Sequence, residues 1–162
     1  VRDPRDIIIS LYYSMGFSHT SSPNNQVESE LQKARDRIQS LSLDEFVLRH
    51  SPVVKERFEI LYKLSKESRH SIILRYEDLL EDFDGFLRGF SKYISIPQER
   101  QQELFLASRP RDAEDLKAHK RSGKSGQYLK KLKPETIREL NQVFKPVLEK
   151  FGYEAEPNLK TV

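Results

Sequence analysis

The sequence predicts a layered α/β domain, helix-rich in this portion, and three observations carry that reading. The segment after Pro4 has helical spacing yet is apolar on most faces: Ile7, Ile8, Ile9, Leu11, Tyr12 and Met15 leave no wide polar stripe, as in a helix buried on several sides. Ser71-Ile72-Ile73-Leu74-Arg75-Tyr76 is short, rich in β-branched residues and bounded by charged stretches, the pattern of a buried parallel strand. Most other segments repeat apolar residues at steps of three and four.

Asp3 is a good N-cap and Pro4 suits the first helical position, so a helix is predicted over Pro4–Met15. The stretch Ser18–Asn25 is polar, and a loop is expected over Gly16–Asn25. Gln26–Leu41 follows as an amphipathic helix with Val27, Leu31, Ala34 and Ile38 on one face. Ser42-Leu43-Asp44-Glu45 has the form of a capping box, and Ser51-Pro52 reads as the opening of a second helix whose Val54, Phe58, Leu61 and Leu64 share a face. After the strand at Ser71–Tyr76, one helix is expected over Glu77–Ile94, weakened at Gly85 and Gly89, and another over Pro97–Leu106. From Ala107 to Lys133 regular periodicity fails in a basic, turn-rich loop. The last helix runs from Pro134 to Gly152, with a kink expected at Pro146. Residues 1–154 are read as one partial domain and 155–162 as a C-terminal tail.

With 36% apolar and 33% charged residues in 162, the composition fits one globular domain with a modest core. The longest apolar run, Ile7-Ile8-Ile9, falls far short of the roughly 20 residues that cross a bilayer. A soluble, cytoplasmic chain without a membrane segment is expected. The absence of cysteine excludes disulfides and thiolate metal sites. A net charge of +3 suits anionic ligands without singling out nucleic acid. Val1 is no initiator methionine and reads as the end of a strand, so at least one strand and its helix are expected ahead of it.

Two places could hold an oxyanion. Arg2 at a strand end and Ser10 two turns into the next helix offer a guanidinium fork and a hydroxyl, which suit a phosphate monoester. On spacing alone the plainer reading, in which Arg2, Asp3, Arg5 and Asp6 cap and pair a helix start, has the edge. Lys120-Arg121-Ser122-Gly123-Lys124-Ser125-Gly126 combines cations with glycines that let backbone N–H groups approach an anion. It lacks the Walker A spacing, and a solvated basic loop is the competing reading.

Together these residues resemble a family. Val1-Arg2-Asp3-Pro4-Arg5-Asp6-Ile7-Ile8-Ile9-Ser10-Leu11-Tyr12-Tyr13 is similar to the sulfotransferase signature V-R-N-P-R-D-x-x-x-S-x-Y-Y, with Asp3 where Asn is usual. Leu74-Arg75-Tyr76-Glu77-Asp78-Leu79 resembles the family's strand-ending Y-E-D-L, and Arg121-Ser122-Gly123-Lys124-Ser125-Gly126 its late phosphate-binding loop. The motifs fall in family order. The resemblance implies a P-loop-like three-layer fold with a parallel sheet, here lacking its N-terminal strand and phosphosulfate loop.

It also implies transfer of a sulfuryl group from 3'-phosphoadenosine 5'-phosphosulfate to a hydroxyl or amine of a small-molecule or glycan acceptor, without metal. On this resemblance Arg2 and Ser10 hold the 3'-phosphate, Arg121, Ser122 and Gly123 with Lys120 close on it, and Tyr76 contacts the adenine side. Phe17 and His19 are candidates for the acceptor wall. The family's catalytic base and phosphosulfate lysine match no position here, so no catalytic residue is assigned and this chain alone is expected to be inactive. Two alternatives stay open: a non-catalytic nucleotide-binding remnant or accessory module, and, less favoured, a basic nucleic-acid-binding module in which only Tyr128 interleaves the cations. The K-x-x-x-T-V-x-x-x-E dimerisation pattern of animal cytosolic members is absent, and the oligomeric state is open.

Overall fold

In a computed structural model of the chain, residues 1–18, 24–110 and 123–155 are described. The first helix, α1, spans Pro4–Tyr13 and is capped by the Asp3 carboxylate, which accepts the Arg5 backbone N–H at 2.9 Å. It ends two residues before the predicted stop, because the chain widens into a π-helical turn over Ser14–Ser18. That turn holds α2 (Asn25–Gln39): the Gln39 amide donates to the Gly16 carbonyl at 2.7 Å, and the Tyr12 hydroxyl to the Leu41 carbonyl at 3.1 Å. Gly16 and Phe17 therefore belong to a helical turn, not to the expected loop.

The capping box at Ser42 forms as expected, with Glu45 bonded back to the Ser42 backbone at 2.8 Å. The two helices expected after it are one, α3, spanning Leu43–Glu67 with Pro52 inside it. A proline removes the N–H that should reach the carbonyl of Leu48. Here the Ser51 hydroxyl donates to that same carbonyl at 3.0 Å, which satisfies the acceptor and lets the helix run on. Of the predicted α3 face, Val54 and Phe58 are buried, whereas Leu61 and Leu64 are exposed, and Tyr62 continues the packing against Phe151.

Ser71–Arg75 carries no regular secondary structure, though Arg75 is extended, and no strand is assigned there or elsewhere among the described residues. One rung of a parallel ladder is present: the Val1 nitrogen donates to the Leu74 carbonyl and the Tyr76 N–H to the Val1 carbonyl at 2.6 Å. The single helix expected over Glu77–Ile94 is two, α4 (Tyr76–Glu81) and α5 (Phe83–Phe90). Asp82 leaves helical backbone between them, and its carboxylate caps the Gly85 N–H at 2.9 Å. A Cβ on residue 85 would lie 2.0 Å from that carboxylate, so glycine permits the break. Next comes α6 (Gln98–Ser108). Inside the stretch expected to be irregular lies α7 (Gln127–Lys131), which takes Lys130 and Lys131 out of the loop. The last helix, α8, covers Pro134–Phe151 through Pro146. Pro146 and Gln142 both face water, so the carbonyl that the proline leaves unpaired can be hydrated.

The core sits where α3 packs against both α1 and α8. Ile8, Ile9 and Tyr12 meet Phe46, Val47, Val54 and Phe58, and α8 adds Ile137, Leu140, Phe144, Val147, Leu148 and Phe151. Each such side chain, fully buried, contributes about 1.5–3 kcal/mol of transfer free energy. The predicted burial of α1 is met, since Arg5, Asp6, Ile8, Ile9 and Tyr12 are buried and the helix packs against α3, α7 and α8. No described helix is long and apolar enough to cross a membrane.

Candidate functional site: the junction of the first helix, Tyr76 and the late loop

The parallel rung places the start of α1 beside the start of α4. With Val1 opposite Arg75, the next residues of the two segments, Arg2 and Tyr76, become neighbours, and the Arg2 guanidinium lies over the Tyr76 ring at 5.0 Å. Glu77 ties the same junction twice. Its carboxylate accepts the Asp3 backbone N–H at 3.0 Å and the Tyr153 hydroxyl at 2.9 Å. The Tyr153 phenol is held neutral, its pKa pushed up by burial first and by the Glu77 charge second.

Below this surface lies a buried cation. Arg5 is 2% exposed, pairs with the Asp3 carboxylate at 2.7 Å, donates to the Asn141 side chain at 2.7 Å and the Glu154 carbonyl at 2.9 Å, and lies 4.3 Å from the centre of the Tyr128 ring. Asp3, Arg5 and Asp6 thus divide their work. The first two build the floor, and only Asp6 turns towards the late loop.

That loop is held by three side chains from the front of the fold. Arg2 Nη2 donates to the Lys124 carbonyl at 2.8 Å, and the Tyr76 hydroxyl to the Gly123 carbonyl at 2.5 Å. The Asp6 carboxylate accepts the N–H groups of Gly126 at 2.7 Å and Tyr128 at 3.0 Å. Gly123 and Gly126 have φ of 70° and 69°, the left-handed region that glycine enters without strain. Burial raises the Asp6 pKa, against the Arg2 charge and the two backbone donors, which favour the carboxylate. Burial likewise raises the Tyr76 phenol.

Of the residues singled out from the sequence, Arg2, Tyr76 and Gly123 come together here. Ser10 lies on α1 at the i, i+4 step from Asp6 and so shares its helix face, one turn further on. Lys120, Arg121, Ser122 and His19 lie outside the described residues. Phe17 is 43% exposed on the π-turn, where its ring meets Tyr12 at 5.5 Å and Tyr13 at 6.0 Å between centroids. Sequence reasoning treated Asp6 as a helix-start charge only. The signal for more was present: a carboxylate one turn before Ser10 in an otherwise apolar helix needs buried partners.

Among the described residues, Arg2 Nε is the buried side-chain nitrogen with no hydrogen-bond partner. An unsatisfied guanidinium nitrogen beside glycine-bearing backbone fits an anion better than it fits a finished structural ion pair.

A family model described as the sulfotransferase domain matches residues 1–152. No curated protein and no solved structure gives a significant match. With the family model covering nearly the whole chain and its signature residues gathered at one junction, the chain belongs to the sulfotransferase domain family, whose chemistry is the transfer of a sulfuryl group.

Proposed function

We propose that this chain is the part of a sulfotransferase that holds the 3'-phosphate and adenine side of 3'-phosphoadenosine 5'-phosphosulfate. The observation that carries the reading is the buried, unpartnered Arg2 Nε beside Tyr76 and the Gly123–Gly126 backbone. Arg2 would supply charge to the 3'-phosphate, and Ser10 a hydroxyl from the face of α1 that carries Asp6. Gly123, with the adjoining Lys120, Arg121 and Ser122, would close over it. Tyr76 presents a ring edge to the adenine side while its face supports Arg2.

The donor, when bound, supplies the activated sulfuryl group. What these residues contribute is positioning and charge balance, the main protein contribution to such transfers. No residue of this chain is assigned as catalytic base. Phe17, with Tyr13 behind it, and His19 are proposed for the wall facing a small-molecule or glycan acceptor.

Calorimetric titration with 3'-phosphoadenosine 5'-phosphate, set against 5'-AMP, tests the reading. Saturable binding that 5'-AMP does not match is expected. Equal affinity for the two nucleotides, or none for either by the folded chain, overturns it.

A further inference from the structure

The three ties on the late loop differ in kind. Arg2 and Tyr76 face the proposed ligand and reach carbonyls of the loop, at Lys124 and Gly123. Asp6 is 1% exposed, lies behind them, and takes two N–H groups from the other end of the loop, at Gly126 and Tyr128. The left-handed Gly126 sits immediately before α7 and lets the chain turn so that both N–H groups meet one carboxylate. The oxygen that accepts from Gly126 is also 3.5 Å from Arg2 Nη2, four residues earlier in the chain and just ahead of the helix. One buried carboxylate therefore touches both the loop and the cation that is to meet the anion.

From this geometry, and resting on the donor-binding reading above, we propose that Asp6 is a positioning residue for 3'-phosphate recognition, latching the Gly123–Tyr128 loop onto α1 and holding Arg2 in register with it. Asp6 itself is too deeply placed to meet a ligand and would repel an anion if it did. Its effect runs through the loop and through Arg2. The charge-assisted bonds it makes are of the strong kind, and they join segments more than a hundred residues apart that no regular secondary structure connects.

The test is Asp6→Asn in the full 162-residue chain. The amide has the carboxylate's shape, but its NH2 group would face one of the two N–H donors, so one tie is lost. With circular dichroism and core amide protection unchanged, the variant should show the affinity ratio of 3'-phosphoadenosine 5'-phosphate to 5'-AMP reduced about tenfold or more, the loss of a charge-assisted contact. The amides of Gly126 and Tyr128 should exchange faster. A folded variant with the parent's ratio overturns the latch while leaving the donor reading intact. Equal affinity of the parent for both nucleotides overturns the donor reading and the inference with it. Should Asp6→Asn not fold, the parent decides. Protection of the Gly126 and Tyr128 amides should rise with 3'-phosphoadenosine 5'-phosphate and not with 5'-AMP, and equal protection with both overturns the latch.

Discussion

Arg5 and Asp3 form a buried ion pair at 2.7 Å within the first turn of α1, at the position where the family signature usually carries Asn. The arginine also spans to α8 through Asn141 and to the chain beyond it through the Glu154 carbonyl. Removing one partner of such a pair leaves the other charge buried.

Arg5→Met should therefore destabilise the fold by about 3–5 kcal/mol in denaturant unfolding. Asp3→Asn should cost less, because asparagine caps a helix as well as aspartate does and still accepts from Arg5, though without the charge. Equal costs for the two substitutions would place the energy in the charge of the pair, with nothing left for the hydrogen bonds that asparagine keeps.

Ser51 and Pro52 should be coupled. Ser51→Ala removes the donor to the Leu48 carbonyl and should cost about 1–2 kcal/mol. In a Pro52→Ala background the backbone N–H of residue 52 can reach that carbonyl, so the same serine change should cost markedly less. A double-mutant cycle measures the difference, expected at roughly 0.5–1.5 kcal/mol.

The pH dependence of stability should carry an Asp6 contribution of defined sign. Burial raises its folded pKa above the unfolded value, so the folded state holds this proton more tightly than the unfolded state does. Its ionisation costs stability as pH rises from about 4 through the raised pKa. Asp6→Asn cannot ionise, so the melting temperature of the parent minus that of the variant should fall across this window. A difference that rises instead, or stays flat, would show that the two backbone donors and Arg2 outweigh burial.

Arg2→Lys should weaken binding of 3'-phosphoadenosine 5'-phosphate even though the charge is kept. A point-charge ammonium cannot stack flat on Tyr76, reach the Lys124 carbonyl and still present a planar fork. A loss of about tenfold or more by calorimetry is expected, with 5'-AMP affected less.

Most helices were legible because their causes are local. The Asp3 and Ser42 caps, Pro4 and Pro134 at helix starts, and Gly152 after the last helix act within a turn of where they stand. The local rules failed where a side chain replaced a missing backbone partner. Ser51 lets α3 pass Pro52, and Asp82 captures the Gly85 N–H and splits one amphipathic run into α4 and α5. In both places the spacing of apolar residues fits one helix or two, and the fate of one hydrogen-bonding group decides between them.

By itself the sequence determined the order of the helices, the family and the three motifs at which an anion site would be sought, because these depend on residue identity and short spacing. It singled out Arg2 among the four charges at the head of α1 by resemblance, but did not say where Asp3, Arg5 and Asp6 would find their partners. Local rules read Asp3 as the helix cap and leave Arg5 and Asp6 as charges at a helix start. Only the tertiary structure sorted them: the rung between Val1 and the Leu74–Tyr76 backbone set Arg2 over the Tyr76 ring, Asn141 and Glu154 drew Arg5 into the floor with Asp3, and Gly126 and Tyr128 took Asp6. The physical reason is that a buried charge must find its partners wherever the chain brings them: beside the local pairs Arg5–Asp3 and Arg2–Asp6, the partners at Lys124, Gly126, Tyr128, Asn141 and Glu154 lie more than a hundred residues away, out of reach of any periodicity.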